Sequence, residues 1–103
     1  MRQFEVYENP YPQSRAIAGL IVVIQSHFLT SLPSVLVAPL LRRPERPAYS
    51  EVSVEIEFEG EAYVVSLAEL AVMDRQRLQR AVGDLREYED AIRRALDRVF
   101  TGF

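Results

Sequence analysis

A chain of 103 residues carrying a net charge of −3 is sized for one domain, and its acidic balance excludes the basic excess of a broad nucleic-acid footprint. It has no cysteine and one histidine, His27, so a disulfide framework and a zinc site built from cysteine and histidine are both excluded. Hydrophobic residues at 49%, against 26% charged residues of mixed sign, suffice for one core and for pairing with a second copy, and they exclude a disordered chain.

Residues 1–6 lack the basic segment and apolar core of a secretory leader. The first strand is expected at residues 3–7, where Phe4 and Val6 alternate with polar neighbours. Asn9-Pro10-Tyr11-Pro12 ends it, because the two prolines remove backbone donors. Residues 16–24 form the longest apolar run, well short of the about 20 residues that a membrane helix needs. The run reads as a central strand covered on both faces and closed by Gln25 and Ser26. A cytoplasmic location with no membrane contact is therefore expected.

A loop through Leu32-Pro33-Ser34 leads to a third strand, Val35-Leu36-Val37-Ala38, which Pro39 is expected to weaken or end. Arg42-Arg43-Pro44-Glu45-Arg46-Pro47 is a charged, proline-bearing loop: a solvated connection, or a stiff basic loop suited to an acidic peptide. In residues 52–59, Val54, Ile56 and Phe58 point one way while Ser53, Glu55, Glu57 and Glu59 point the other. Gly60 turns the chain into a hairpin arm at residues 62–65. The glutamates read as guards of an exposed edge rather than as metal ligands, since no histidine converges on them.

Residues 66–82 support two readings. Ser66 and Glu69 match a capping box for a helix, whereas Leu67, Leu70 and Val72 fit a strand that turns at Met73-Asp74. The favoured reading is a final strand and then a short helical piece over residues 75–80. Asp84 and Glu87 form a second capping box, opening a C-terminal helix with the apolar stripe Leu85, Tyr88, Ile92, Ala95, Leu96 and Val99. Glu89 with Arg93 and Asp90 with Arg94 are expected pairs on its wet face.

No catalytic arrangement emerges. There is no cysteine nucleophile, the glycines at 19, 60, 83 and 102 build no phosphate loop, and His27 beside Phe28 reads as a loop histidine. No metal or cofactor is expected. Phe100 and Phe103, around Thr101-Gly102 at the terminus, either tuck into the core or a dimer seam, or form a protein-binding tip.

A resemblance runs through nearly the whole chain. Residues 3–7, Val22-Val23-Ile24-Gln25-Ser26, Val37-Ala38-Pro39-Leu40, Glu59-Gly60-Glu61-Ala62-Tyr63 and Gly83-Asp84-Leu85 carry it. It is strongest where Ile92, Ala95, Leu96, Phe100 and Gly102 keep their spacing. In this pattern the sequence resembles the CcdB toxins of bacterial toxin–antitoxin modules. The resemblance implies an α+β, mainly β fold over residues 1–103: an SH3-like antiparallel β-barrel with a small side sheet and one long C-terminal helix. It also implies a homodimer that binds the A subunit of DNA gyrase and traps its cleavage complex without hydrolysing anything. A cognate antitoxin with an acidic disordered tail would neutralise the toxin, and operator DNA would be reached only through that antitoxin. The gyrase-binding positions implied here are Asp97, Phe100, Thr101, Gly102 and Phe103, with Phe28 and Leu29 from the loop after the second strand. One position departs: Thr101 stands where the family has tryptophan, and losing an interface tryptophan commonly costs about 2 kcal/mol.

Two rival functions follow from the same residues. Met73-Asp74-Arg75-Gln76-Arg77-Leu78 looks like a segment of the MazF endoribonuclease toxins, which are similar in fold. Their mechanism needs an arginine and a hydroxyl residue; Arg15 could serve, but Leu40, Leu41 and Arg42 occupy the place of the hydroxyl. Thr101 favours the other rival, a non-toxic homologue that only binds a partner.

Overall fold

The strands join in one antiparallel sheet that curls into a half-barrel, with a single helix packed on it in the computed structural model, which describes residues 1–26, 31–42 and 52–102. In chain order they are β1 (Glu5–Glu8), β2 (Leu20–Val23), β3 (Ser34–Arg42), β4 (Ser53–Phe58), β5 (Glu61–Ser66), β6 (Ala71–Asp74) and β7 (Ala81–Asp84), followed by α1 (Glu89–Thr101). Their order across the sheet is β4-β5-β3-β2-β1-β7, with β6 also paired to β3. The α+β, mainly β architecture with a C-terminal helix is thus present.

β3 carries the layout. One edge pairs with β2, from Leu20↔Leu40 to Val23↔Val37. The other edge serves β6 along residues 34–37 and β5 along residues 40–42. A tight turn at Leu67–Glu69 joins β5 to β6, pinned by the fully buried Leu67, whose N–H donates to the Val52 carbonyl at 2.9 Å.

Pro39 does not end β3. The Ile24 N–H donates to the Leu36 carbonyl, so the hydrogen-bonded pairs with β2 fall at even positions of β3 and the nitrogen of residue 39 faces the opposite edge. There it lies between the last β6 pair at Val37 and the first β5 pair at Leu40, so no ladder bond is lost.

β2 is covered on both faces, as its sequence predicts. Val22 joins a cluster with Phe4, Leu40, Val65 and Ile92, while Ile21 and Val23 join Tyr7, Val35, Val37 and Met73. It is shorter than the apolar run: residues 15–17 form a turn instead. Asn9 explains this. Its side chain is buried, and its amide donates to the Ala18 carbonyl and the Ser14 hydroxyl, both at 2.8 Å, while its oxygen accepts from the Tyr11 N–H. Satisfying that buried amide holds residues 10–18 in a loop.

The hairpin forms as expected, with Val54, Ile56 and Phe58 buried and Glu55 and Glu57 outside. Glu59 and Gly60 both have positive φ (51° and 80°), which matches the twist of the flanking strands. Within residues 66–82, β6 and the turn at Arg75–Arg77 replace a helix. Ser66 is extended and makes no capping bond. β7 was not anticipated; it alternates half-buried with exposed positions and so has no strong apolar signal.

The helix starts later than its capping box implies. Asp84 Oδ1 accepts from the Arg86 N–H at 3.0 Å, a bond made at the start of the turn Arg86–Tyr88 and not at α1 itself. Ile92 and Ala95 are buried, with Leu96 and Val99 packed beside them. Glu89 pairs with Arg93 at 2.9 Å, while Asp90 and Arg94 make no ion pair with each other.

The two ends of the sheet approach across the helix. The Glu57 N–H on β4 donates to the Tyr88 hydroxyl at 3.0 Å, and the Phe58 ring lies over Gly83 on β7. A Cβ at residue 83 would sit 2.6 Å from that ring. Gly83→Ala is accordingly expected to lower stability by about 1–3 kcal/mol, the cost of overpacking, and Phe58→Leu in the same chain should recover part of it. Urea midpoints of the two single variants and the double variant measure this.

Candidate functional site

Burial of Ile92, Ala95, Leu96 and Val99 fixes the rotation of α1 and turns Asp97, Phe100 and Thr101 outward. At spacings of three and four these form one patch on the last turn. Phe100 is 66% exposed, so its ring is not tucked into the core of its own chain. The patch is held firmly. Gly102 adopts φ 80° and its N–H donates to the Arg98 carbonyl at 3.1 Å, closing the helix in the left-handed form that glycine favours. The Thr101 hydroxyl donates back to the Asp97 carbonyl at 2.6 Å, so it is spent on the backbone and offers a partner little more than its methyl group.

The structure therefore brings together Asp97, Phe100, Thr101 and Gly102. Phe103, Phe28, Leu29 and His27 lie outside the described residues, as does the loop after Arg42. A helix tip with an exposed ring and a neighbouring carboxylate can bind a partner. Among the described residues no cluster of histidine, cysteine or carboxylate side chains could hold a metal ion. No helix among them is long and apolar enough to cross a membrane.

A second feature escaped the sequence reading. The loop after β1, the start of β2 and the end of β3 enclose a cavity of about 510 Å³, lined by Asn9, Arg15, Ile17, Leu20, Leu40, Arg42, Glu59 and Tyr63 among others. A smaller hollow of about 280 Å³ adjoins it and adds Arg77 and Arg80. Arg15 is pinned by its Nε–H to the Asn9 carbonyl at 2.8 Å. Arg42 grips Glu61 through two bonds of 3.0 Å and lies 6.0 Å from the centre of the Tyr63 ring. No serine, threonine or histidine lines either cavity among the described residues. Arg15, Arg42 and the Arg77–Arg80 pair sit far apart in the chain, so no single local motif announces the groove.

Two tyrosines of this groove are held protonated. Burial first, then the Glu5 carboxylate that accepts its hydroxyl at 3.0 Å, pushes Tyr7 from 10.0 up to about 12. Burial and Glu61 raise Tyr63 in the same direction.

Comparison with known proteins gives one family and a set of folds. The family model described as CcdB protein matches residues 3–102. No curated protein matches the sequence. Among solved structures, one described as an Mtb toxin is 25% identical with a TM-score of 0.64, covering 82% of this chain and 96% of that one. Another, Mycobacterium tuberculosis toxin MazF-mt6, is 21% identical with a TM-score of 0.66 and covers 96% of each chain.

Two outcomes are expected at these residues. Gly102→Ala should cost about 1 kcal/mol and fray the last turn, seen as faster amide exchange at Gly102's neighbours with the sheet unaffected. The contribution of Tyr7 to stability should be level below pH 10 and fall between pH 10.0 and about 12, because the unfolded chain there releases a tyrosine proton that folded Tyr7 retains. Tyr7→Phe should flatten that alkaline slope in pH-dependent urea titrations.

Proposed function

The chain belongs to the CcdB family, toxins of toxin–antitoxin modules, and we propose that it acts by binding the A subunit of DNA gyrase through the tip of α1. The observation that carries this reading is Phe100, 66% exposed on a helix end that Gly102 and Thr101 lock in place. Exposed aromatic rings on rigid supports are the usual anchors of protein interfaces. Asp97 supplies a charge one turn away, and Gly102 leaves the backbone open to close approach. The toxin works as a homodimer, presenting two tips to its target, and traps the enzyme's broken-DNA state rather than cutting a bond itself. A cognate antitoxin with an acidic disordered tail neutralises it, and the pair reaches operator DNA through the antitoxin.

Thr101 gives a second reading its support. With its hydroxyl folded onto Asp97, residue 101 brings no ring to the interface, as a partner-binding homologue without poisoning activity would not need one. The endoribonuclease reading gains less: the likeness to MazF-mt6 concerns the fold, and the arginine-lined cavities have no serine or threonine in their walls.

The test adds the purified protein to gyrase, ATP and supercoiled plasmid, scores linear DNA, and runs an RNA substrate beside it. Linear plasmid is expected, with Phe100→Ala reducing gyrase affinity about 30-fold and Thr101→Trp raising it by about tenfold or more. Intact plasmid and RNA, together with no gyrase binding, would replace this reading with the partner-binding one.

A further inference from the structure

We propose that the arginine-lined groove is a docking surface for an extended acidic peptide, with Arg15, Arg77 and Arg80 as its carboxylate-binding end. The two cavities share Glu8, Asn9 and Arg15, so they form one continuous trough, whose larger end borders the cluster of Leu40 and Tyr63 and whose smaller end borders Tyr7 of the other cluster. This surface is separate in sequence and in elements from the helix tip, and the inference stands whether or not gyrase is the target.

The smaller end is built for an oxyanion. Arg15 is fixed by the Asn9 carbonyl at 2.8 Å and the Pro10 carbonyl at 3.4 Å, both acceptors that leave its positive charge uncompensated. The Arg77 guanidinium lies over the Tyr11 ring, 5.1 Å from its centre, which positions its charge without neutralising it. Arg80 is exposed and makes no ion pair among the described residues. Glu8 is the one carboxylate lining this end. Guanidinium forks match carboxylates in bidentate geometry, and three of them around one hollow favour an incoming acidic side chain.

The larger end differs in character, and the difference selects the ligand. Its floor includes Leu20 and Leu40, and Ile17 stands 65% exposed at its wall. The charge of Arg42 is already met by Glu61, and Glu8 and Glu59 add carboxylates to the lining. A nucleic-acid strand laid along the trough would meet those carboxylates with phosphates at every step. A peptide can place one carboxylate among the arginines and apolar side chains over Ile17 and Leu20, so the charge pattern favours a peptide.

The experiment uses fluorescence anisotropy with the intact protein and a labelled synthetic peptide that alternates glutamate with leucine and serine. Its twin with glutamine at every glutamate, and an oligouridine of similar length, are the comparison probes. The glutamate peptide is expected to bind saturably and to weaken with added salt, and its twin to bind at least about tenfold less tightly. Arg80→Ser should weaken the glutamate peptide about fivefold or more, whereas Arg86→Ser, outside the groove, should leave it unchanged. Arg80 is exposed and has no partner among the described residues, so the variant should fold, and its melting temperature checks this. Equal binding of the twin, indifference to Arg80→Ser, or tighter binding of oligouridine than of peptide would each overturn the proposal.

Discussion

Two ladders meet on β3, and the rest of the molecule hangs from it. Its edge toward β2 is continuous, while its other edge is divided between β6 and β5, so a shift of one residue on either side would turn Val35, Val37, Leu40 and their partners to the wrong face. The same strand separates the two apolar clusters: Leu40 and Ala38 face the helix, Val35 and Val37 the opposite layer. α1 then has only one seat, and its seat decides where Asp97, Phe100 and Thr101 point. The exposed tip is thus a consequence of a register set some sixty residues earlier in the chain.

Much of this was readable in the residues. The alternation of Val54, Ile56 and Phe58, the two-sided burial of Ile21, Val22 and Val23, and the stripe through Ile92 and Ala95 each follow from the period of one element. What could not be read depends on a neighbour. Whether Pro39 breaks a strand turns on which edge its nitrogen faces, a matter of ladder parity. Whether residues 15–17 extend β2 turns on Asn9, whose buried amide claims the Ala18 carbonyl. β7 is visible only once the Phe58 ring is known to need the space over Gly83.

The same division applies to function. The tip was legible because it lies on one helix end, where spacing alone puts Asp97, Phe100 and Thr101 on one face. Phe100 as an exposed ring, rather than a core ring, required the packing. The groove was illegible because Arg15 comes from the β1–β2 connection, Arg42 from the end of β3, and Arg77 and Arg80 from the β6–β7 connection, and they meet only in the folded sheet. A family pattern reports the first kind of site well and the second kind poorly.

The bond from the Glu57 amide to the Tyr88 hydroxyl has a consequence for motion. Among the described residues β4 has no strand on that side, so this amide is sheltered by a side chain from the segment leading into α1 rather than by the ladder. Lifting the helix from the sheet exposes it, while the amides bonded between β4 and β5 stay protected. Residue 57 therefore acts as a built-in gauge of helix undocking: its exchange with solvent deuterium reports the opening of the half-barrel separately from global unfolding. Any ligand that grips the end of α1 and stiffens its seat would slow that one proton, some distance from where it binds.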